Sequence, residues 1–421
     1  MLHADRRTTS CRIIFIGALL ILSLLKIGVS QTLAGFSVLQ ERNGLPAFFA
    51  KLGKGSPVTI CYLGGSITEA AGYRVKTEQY FRKKYPKSSI SVYNAGVGGT
   101  GSSLGAFRLQ EEVLSHHPDL VFVEFAVNDA ASDSLLVCNA IEGIVRQIKK
   151  QNLKTDICFL YTIHDQMTGA YNKGELYRSV RFIERVADYY KLPSVNLGID
   201  VLKEVNQGKL IFRGTKEDEA AGRAVFSFDG THPGDLGHEI YTKTIVGAFE
   251  NMKSGKEMKK MPQPLYSGNF GVTRVLSPDE VQRTAGWEQA SWDGYLKPFQ
   301  KAYPGLICTA HTSDSVVVRF SGTYFGFCDI IGPSATPSVV VNIDGQPDIR
   351  TRFDSYGYFY RRSYCLIGPL KDGEHVVILK KGTMTTDKQK MVNYHETRED
   401  PADYRKGLFF LGKLMIIGKL L

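Results

Sequence analysis

Several features that would settle a protein's class at once are missing from this sequence. Its seven cysteines form no CxxC pair, which argues against a zinc ribbon and against a thioredoxin-like redox motif. No cluster of His, Asp and Glu has metal-ligand spacing, so neither a metal nor any other cofactor is expected. No apolar run reaches the roughly 20 residues of a membrane-spanning helix. There is no internal repeat and no low-complexity tract. Basic residues exceed acidic ones by ten over 421 positions. They form no run interleaved with aromatics and no RNA-binding motif, so a nucleic-acid partner is not expected.

What remains is an ordinary globular composition: 43% hydrophobic, 11% aromatic and 22% charged residues. At roughly 100–200 residues per domain, the length suggests two or three domains.

Residues 1–30 have the pattern of a signal peptide. Arg6, Arg7 and Arg12 precede the apolar run Ile13–Leu25, which Lys26 closes, and Gly28-Val29-Ser30 offers small residues for cleavage before Gln31. The run is shorter than a membrane span, and Lys26 also argues against an uncleaved anchor. The expectation is an exported protein, secreted or periplasmic, with no stable membrane span after cleavage. Removing the segment takes away four basic residues and one acid, leaving +7. That excess would favour an acidic glycan over a neutral one. Export permits disulfides, and Cys308, Cys328 and Cys365 are the ones to test.

From Gln31 to about residue 250, short apolar runs alternate with helical stretches. Val58–Leu63, Ser89–Tyr93, Leu120–Phe125, Ile157–Ile163 and Ser194–Asn196 read as strands. Glu69–Lys84, Leu104–Ser115, Ala140–Lys150, Glu175–Tyr190 and Leu236–Lys253 read as helices. Alternation of this kind predicts a parallel sheet covered on both faces. Asn251–Pro264, with four lysines and two prolines, reads as a solvated linker. After it the texture is all-β. Strands are expected at Ser315–Phe320, Gly322–Ile331, Ser338–Ile343, Ser363–Ile367, His375–Lys380 and Leu408–Ile417. Asp344-Gly345 marks a hairpin. Such spacing suggests a β-sandwich. The expected division is 1–30 signal, 31–262 catalytic domain and 263–421 accessory jelly-roll-like sandwich. Tyr356, Tyr358, Phe359, Tyr360, Arg361 and Arg362 suit sugar recognition, but the alternating pattern favours a plain strand with one buried aromatic face.

Four segments fall on strand-to-helix loops. They are Gly64-Gly65-Ser66-Ile67 after the first strand, Asn94–Thr100 after the second, Glu124–Asp129 after the third, and Asp229-Gly230-Thr231-His232-Pro233 before the last helix. In an open parallel sheet, ligands bind beyond the carboxyl ends of the strands, at a switch point. All four segments could therefore reach one crevice. Ser66 needs a base to act as a nucleophile. Asp229-x-x-His232 offers an imidazole and, three residues earlier, a carboxylate to orient it. The backbone N–H groups of Gly99 and Ser66 and the amide of Asn128 are natural donors to an oxyanion. Singly, each segment reads as a turn or a helix cap; jointly they are hard to explain by chance.

In these blocks and in their order, the sequence resembles the SGNH (GDSL-like) hydrolases over roughly residues 57–250. The resemblance implies a flavodoxin-like three-layer α/β/α fold. It also implies a serine esterase with Ser66 as nucleophile, His232 as base, Asp229 as its partner, and Gly99 and Asn128 as oxyanion donors. One departure is Gly65, where the family often has Asp. The Gly-Gly-Ser form is similar to that of exported members acting on carbohydrate esters, which makes an acylated carbohydrate the expected partner, with O-acetyl groups the expected target. Two alternatives remain open: transfer of the acyl group to a sugar hydroxyl, and a glycan-binding protein with a vestigial hydrolase domain. Among secondary candidates for substrate contact, His164 ends the fourth strand and reads equally as a cap. Arg74 lies near the crevice, and Asn94 reads better as a loop brace.

Overall fold

The computed structural model describes residues 37–383, 386–392 and 403–421. The expected signal segment, 1–30, lies outside the described residues.

The first half is built on a six-stranded sheet of β1 (Leu39–Gln40), β2 (Val58–Gly64), β3 (Ile90–Gly96), β4 (Leu120–Glu124), β5 (Asp156–Tyr161) and β6 (Ser194–Asn196). Its order is β1-β6-β5-β4-β2-β3. Strands β2 to β6 run parallel, and β1 adds antiparallel to the β6 edge. Every residue of β4 and β5 is buried, the pattern of a sheet covered on both faces. The cover comes from two helix groups. On one side α3 (Tyr73–Lys84) packs with Asp235–Met252; on the other α4 (Ser102–Glu112) packs with α5 (Ser134–Gln151), and α5 with Arg178–Tyr190. The parallel strands have the flavodoxin-like order, which reverses direction between β2 and β4. The sheet is parallel and covered on both faces, as the strand pattern predicts, and the fold is the three-layer sandwich that the family resemblance implies.

The expected helix Glu69–Lys84 is interrupted. A short α2 (Ser66–Glu69) ends at Ala70, and α3 begins at Tyr73. The cause is His238 on the last helix. A Cβ at Gly72 would fall 2.2 Å from its Nδ1, so the chain passes against the imidazole face where only glycine fits. The Tyr73 N–H donates to that Nδ1 at 3.1 Å, which holds the ring neutral. Burial lowers the His238 pKa to about 4. The unfolded chain, with an ordinary histidine near 6.5, then binds more protons between those values, so native stability falls as pH drops from 6.5 toward 4. The melting temperature should decline over that window in the native protein and decline less in His238→Gln. Parallel slopes in the two proteins would contradict the assignment.

The second half is a continuous antiparallel sheet of ten strands folded over its own core of Trp287, Val316, Phe320, Phe327, Leu379 and Leu414, among others. The two strands expected at 315–320 and 322–331 are one, Ser315–Ile331. It pairs first with Gly373–Lys381 and then with Arg361–Ile367, joining the layers through irregular register beside Gly322. Asp344 and Gly345 both have positive φ, 52° and 84°, as the tightest hairpin turn requires. The aromatic stretch from Tyr356 is not a strand. Residues 355–358 turn, closed by the Gly357 N–H on the Asp354 carbonyl at 2.9 Å and the Tyr356 N–H on the Asp354 carboxylate at 2.9 Å. Strand geometry begins only at Arg361. The side-chain alternation had no backbone ladder to support it.

The lysine-rich connector is pinned rather than loose beyond Met261. Buried Glu142 of α5 accepts the N–H groups of Leu265 and Tyr266 at 2.6 and 2.7 Å. Phe270 is fully buried between Phe107 of the first half and Tyr324 of the second. All six described cysteines are unpaired thiols.

Candidate active site

Ser66, at the first position of α2 directly after β2, sits at the switch point. Its Oγ lies 2.7 Å from His232 Nε2, and His232 Nδ1 lies 2.6 Å from Asp229 Oδ2. The three groups form an unbroken hydrogen-bonded chain of hydroxyl, imidazole and carboxylate.

The Asp229–His232 turn is self-bracing. Asp229 Oδ1 accepts the N–H groups of Thr231 and His232, each at 2.8 Å, and the Ser227 hydroxyl at 3.0 Å. Burial opposes its ionisation, but the hydrogen bonds from His232 and Thr231 prevail and bring its pKa to about 2. The carboxylate therefore stays charged beside the imidazole. Gly230 turns with φ of 83°, and a Cβ there would lie 2.5 Å from Asp165 Oδ2. The Asp165 N–H donates to the Gly230 carbonyl at 2.9 Å, so the loop after β5 buttresses the histidine turn. The imidazole and carboxylate side chains remain 51% and 55% exposed. The site is thus an open mouth.

Gly99 and Asn128 end up beside Ser66. A Cβ at Gly65 would meet Asn128 Oδ1 at 2.0 Å and Nδ2 at 2.7 Å. The Asn128 amide thus lies directly against the backbone that precedes the serine. Any side chain at position 65 would have to displace Asn128 from its present place. In the β3 loop, Gly99 has φ of 69°, and a Cβ on Gly98 would be 3.7 Å from that of Ser66. The Ser66 N–H, the Gly99 N–H and the Asn128 amide donate to no other group among the described residues. The loop of Gly98 and Gly99 and the Asn128 amide thus border the segment that carries Ser66, with these donors unspent.

Residues with no assigned catalytic role hold this arrangement. Glu69 Oε2 accepts the Gly98 N–H at 2.9 Å. Glu124, buried at the end of β4, accepts the Thr162 and Thr68 hydroxyls at 2.6 and 2.9 Å, and burial raises its pKa against those bonds. Asp129 accepts the Ser102 N–H at 3.0 Å and is pushed up to about 7 by burial. Arg108 reaches from α4 to the carbonyls of Gly64 and Ala95 at 2.9 and 2.5 Å. Glu124 and Asp129 are legible in the sequence, as the ends of the segment that follows the third strand. The others depend on contacts far apart in the chain.

The three secondary candidates serve the loops. Asn94 donates to the Glu69 carbonyl at 3.0 Å and accepts the Gly96 N–H at 2.9 Å. Arg74 donates to the Thr68 carbonyl at 3.3 Å. His164 is buried, caps the turn after β5 through the Gln166 N–H at 3.3 Å, and packs edge-on against Tyr177. Among the described residues, no group of three His, Cys, Asp or Glu could hold a metal ion.

A flavodoxin-like sheet carrying this hydroxyl–imidazole–carboxylate chain at its switch point is the architecture of an acyl hydrolase. Residues 62–240 match the model of the GDSL-like Lipase/Acylhydrolase family, and the domain they form is of that family, a carboxylic ester hydrolase. No curated protein matches the sequence. Among solved structures, the chain is similar to a two-domain esterase active on acetylated mannans and co-crystallised with mannopentaose. Identity is 20%, the TM-score is 0.71, and the match covers 90% of this chain and 97% of that one. A second structure of a two-domain esterase active on acetylated mannans matches at 18% identity and TM-score 0.70, with the same coverage. Both halves of the fold are therefore shared.

Proposed function

We propose that the protein is an exported serine esterase that removes acetyl groups from a carbohydrate polymer. The observation that carries the chemistry is the Ser66–His232–Asp229 hydrogen-bonded chain. Ser66 Oγ attacks the ester carbonyl as His232 Nε2 takes its proton, and the Asp229 carboxylate stabilises the resulting imidazolium. The carbonyl oxygen becomes an oxyanion held by the Ser66 and Gly99 N–H groups and the Asn128 amide. Collapse breaks the ester C–O bond, and His232 returns the proton to the departing sugar hydroxyl. Water, deprotonated by His232, then releases acetate from the acyl-serine.

The substrate class rests on the esterases of acetylated mannans whose two-domain fold this chain shares. Export rests on residues 1–30. The open mouth of the site suits an acyl group carried on a large polymer.

An ester panel tests the reading. Acetate release is expected from acetylated manno- or xylo-oligosaccharides, with aryl acetates turned over and longer aryl esters turned over more slowly. Preference for long acyl chains, with no acetate released from any acetylated sugar, would contradict it.

A further inference from the structure

The all-β half reaches the reaction centre. Arg361, the first residue of its strand Arg361–Ile367, brings Nη1 to 3.9 Å from where a Cβ on Gly99 would stand. Its Nη2 is paired with the Asp354 carboxylate, whereas Nη1 has no partner among the described residues. The next residues fix this placement. Arg362 pairs with Glu112 of α4 at 2.7 Å, and the Tyr364 hydroxyl meets that of Ser103 at 3.0 Å. Strand and helix are thus docked one turn from the oxyanion loop.

An aromatic trail leads away from Arg361. Its guanidinium carbon lies 6.0 Å from the Phe359 ring centre; Phe359 is 5.0 Å from Tyr358, and Tyr358 is 6.4 Å from Tyr356. Phe359 and Tyr356 are 41% and 56% exposed. Two large rings left exposed on one turn, next to Arg361, form a small apolar patch of the kind that ligand sites carry. An arginine–carboxylate pair offers donors and acceptors side by side, which matches ring hydroxyls, while aromatic faces match the apolar faces of sugar rings.

We propose that residues 354–361 form a glycan subsite, in which Arg361 and Asp354 bind hydroxyls of the sugar next to the acetylated one and Phe359 and Tyr356 stack on the chain beyond it. The inference rests on the carbohydrate-esterase reading and adds where the polymer lies and which half of the protein holds it. Because Asp354 neutralises Arg361, the subsite takes an uncharged chain.

The test compares kcat/KM on an acetylated manno-oligosaccharide with kcat/KM on the acetylated monosaccharide, in the full chain. The native protein should prefer the oligosaccharide. In Arg361→Ala and in the double variant Tyr356→Ala/Phe359→Ala, that preference should fall by about 10-fold, mostly through KM. The exposed aromatic pair can be removed with little risk to folding, so it decides the matter if Arg361→Ala is unstable. An unchanged preference in the folded variants overturns the subsite and leaves the esterase reading intact. A native protein that cleaves aryl acetates but no acetylated sugar overturns both the subsite and the carbohydrate assignment. A native protein inactive on every ester overturns the enzyme reading itself.

Discussion

Ser66→Ala should abolish hydrolysis of a short acetyl ester, lowering kcat by about 10⁶-fold if the residue acts as the nucleophile of a triad. Among the described residues the serine hydroxyl hydrogen-bonds only to His232 Nε2, at 2.7 Å, and stands in an open mouth. Its removal leaves no cavity and no buried polar group without a partner. Stability should therefore change by less than about 0.5 kcal/mol. Unfolding midpoints and rates measured on the same preparation separate the two effects. Because the three residues act as a unit, Ser66→Ala/His232→Ala should be no slower than either single variant. Retained full activity with an unchanged melting curve would remove Ser66 from the mechanism. A fluorophosphonate probe should label the native protein at this residue and leave the variant unlabelled.

Gly65→Ala should lower kcat by about 10²–10³-fold, the usual cost of one lost oxyanion donor, although residue 65 touches no substrate. The backbone there, at φ −92° and ψ −151°, is open to alanine, so the effect is not strain. The added methyl would have to occupy space 2.0 Å from Asn128 Oδ1 and 2.5 Å from its Cγ. Either the amide moves away from the serine or the serine moves away from the amide. Both displacements raise the barrier more than they weaken substrate binding, so kcat should fall while KM stays nearly constant. Asn128→Ala should cost a similar factor, and the double variant little more than either alone, because both act on one donor. Activity in Gly65→Ala within threefold of the native protein would mean that the amide is not part of the oxyanion site.

Much of this could be read from the chain because the relevant signals are local. Buried parallel strands are continuous apolar runs, so β2, β4 and β5 stand out, and the loops that follow them carry their polar residues in compact motifs. Elements defined by long-range pairing were invisible. The two residues of β1 are a strand only because β6 lies beside them. The ribbon Ile211–Arg213 with Val225–Ser227 has too little pattern of its own. The helix Leu197–Asn206 follows β6 without any break in the sequence. The split between α2 and α3 comes from His238, over 160 positions away. The packing of Gly65 against Asn128 is a tertiary contact between loops that no local pattern carries. Alternation puts Arg361 on a strand, as observed, but the turn before it and the docking behind it, which bring it to the Gly99 loop, leave no local pattern.

The buried course of the connector bears on how such a protein can be inherited and rearranged. Phe270 belongs to the segment joining the two halves, yet its ring fills space between Phe107 and Tyr324, and its N–H donates to the Asn139 carbonyl at 2.9 Å. Neither half therefore has a complete surface of its own. A cut at residue 262 would open a hole in the hydrolase, and grafting the β-half onto another enzyme would expose an apolar face. The two halves are thus packed as one structural unit. If the proposed subsite holds, substitutions in the turn 354–361 change specificity without disturbing this shared packing.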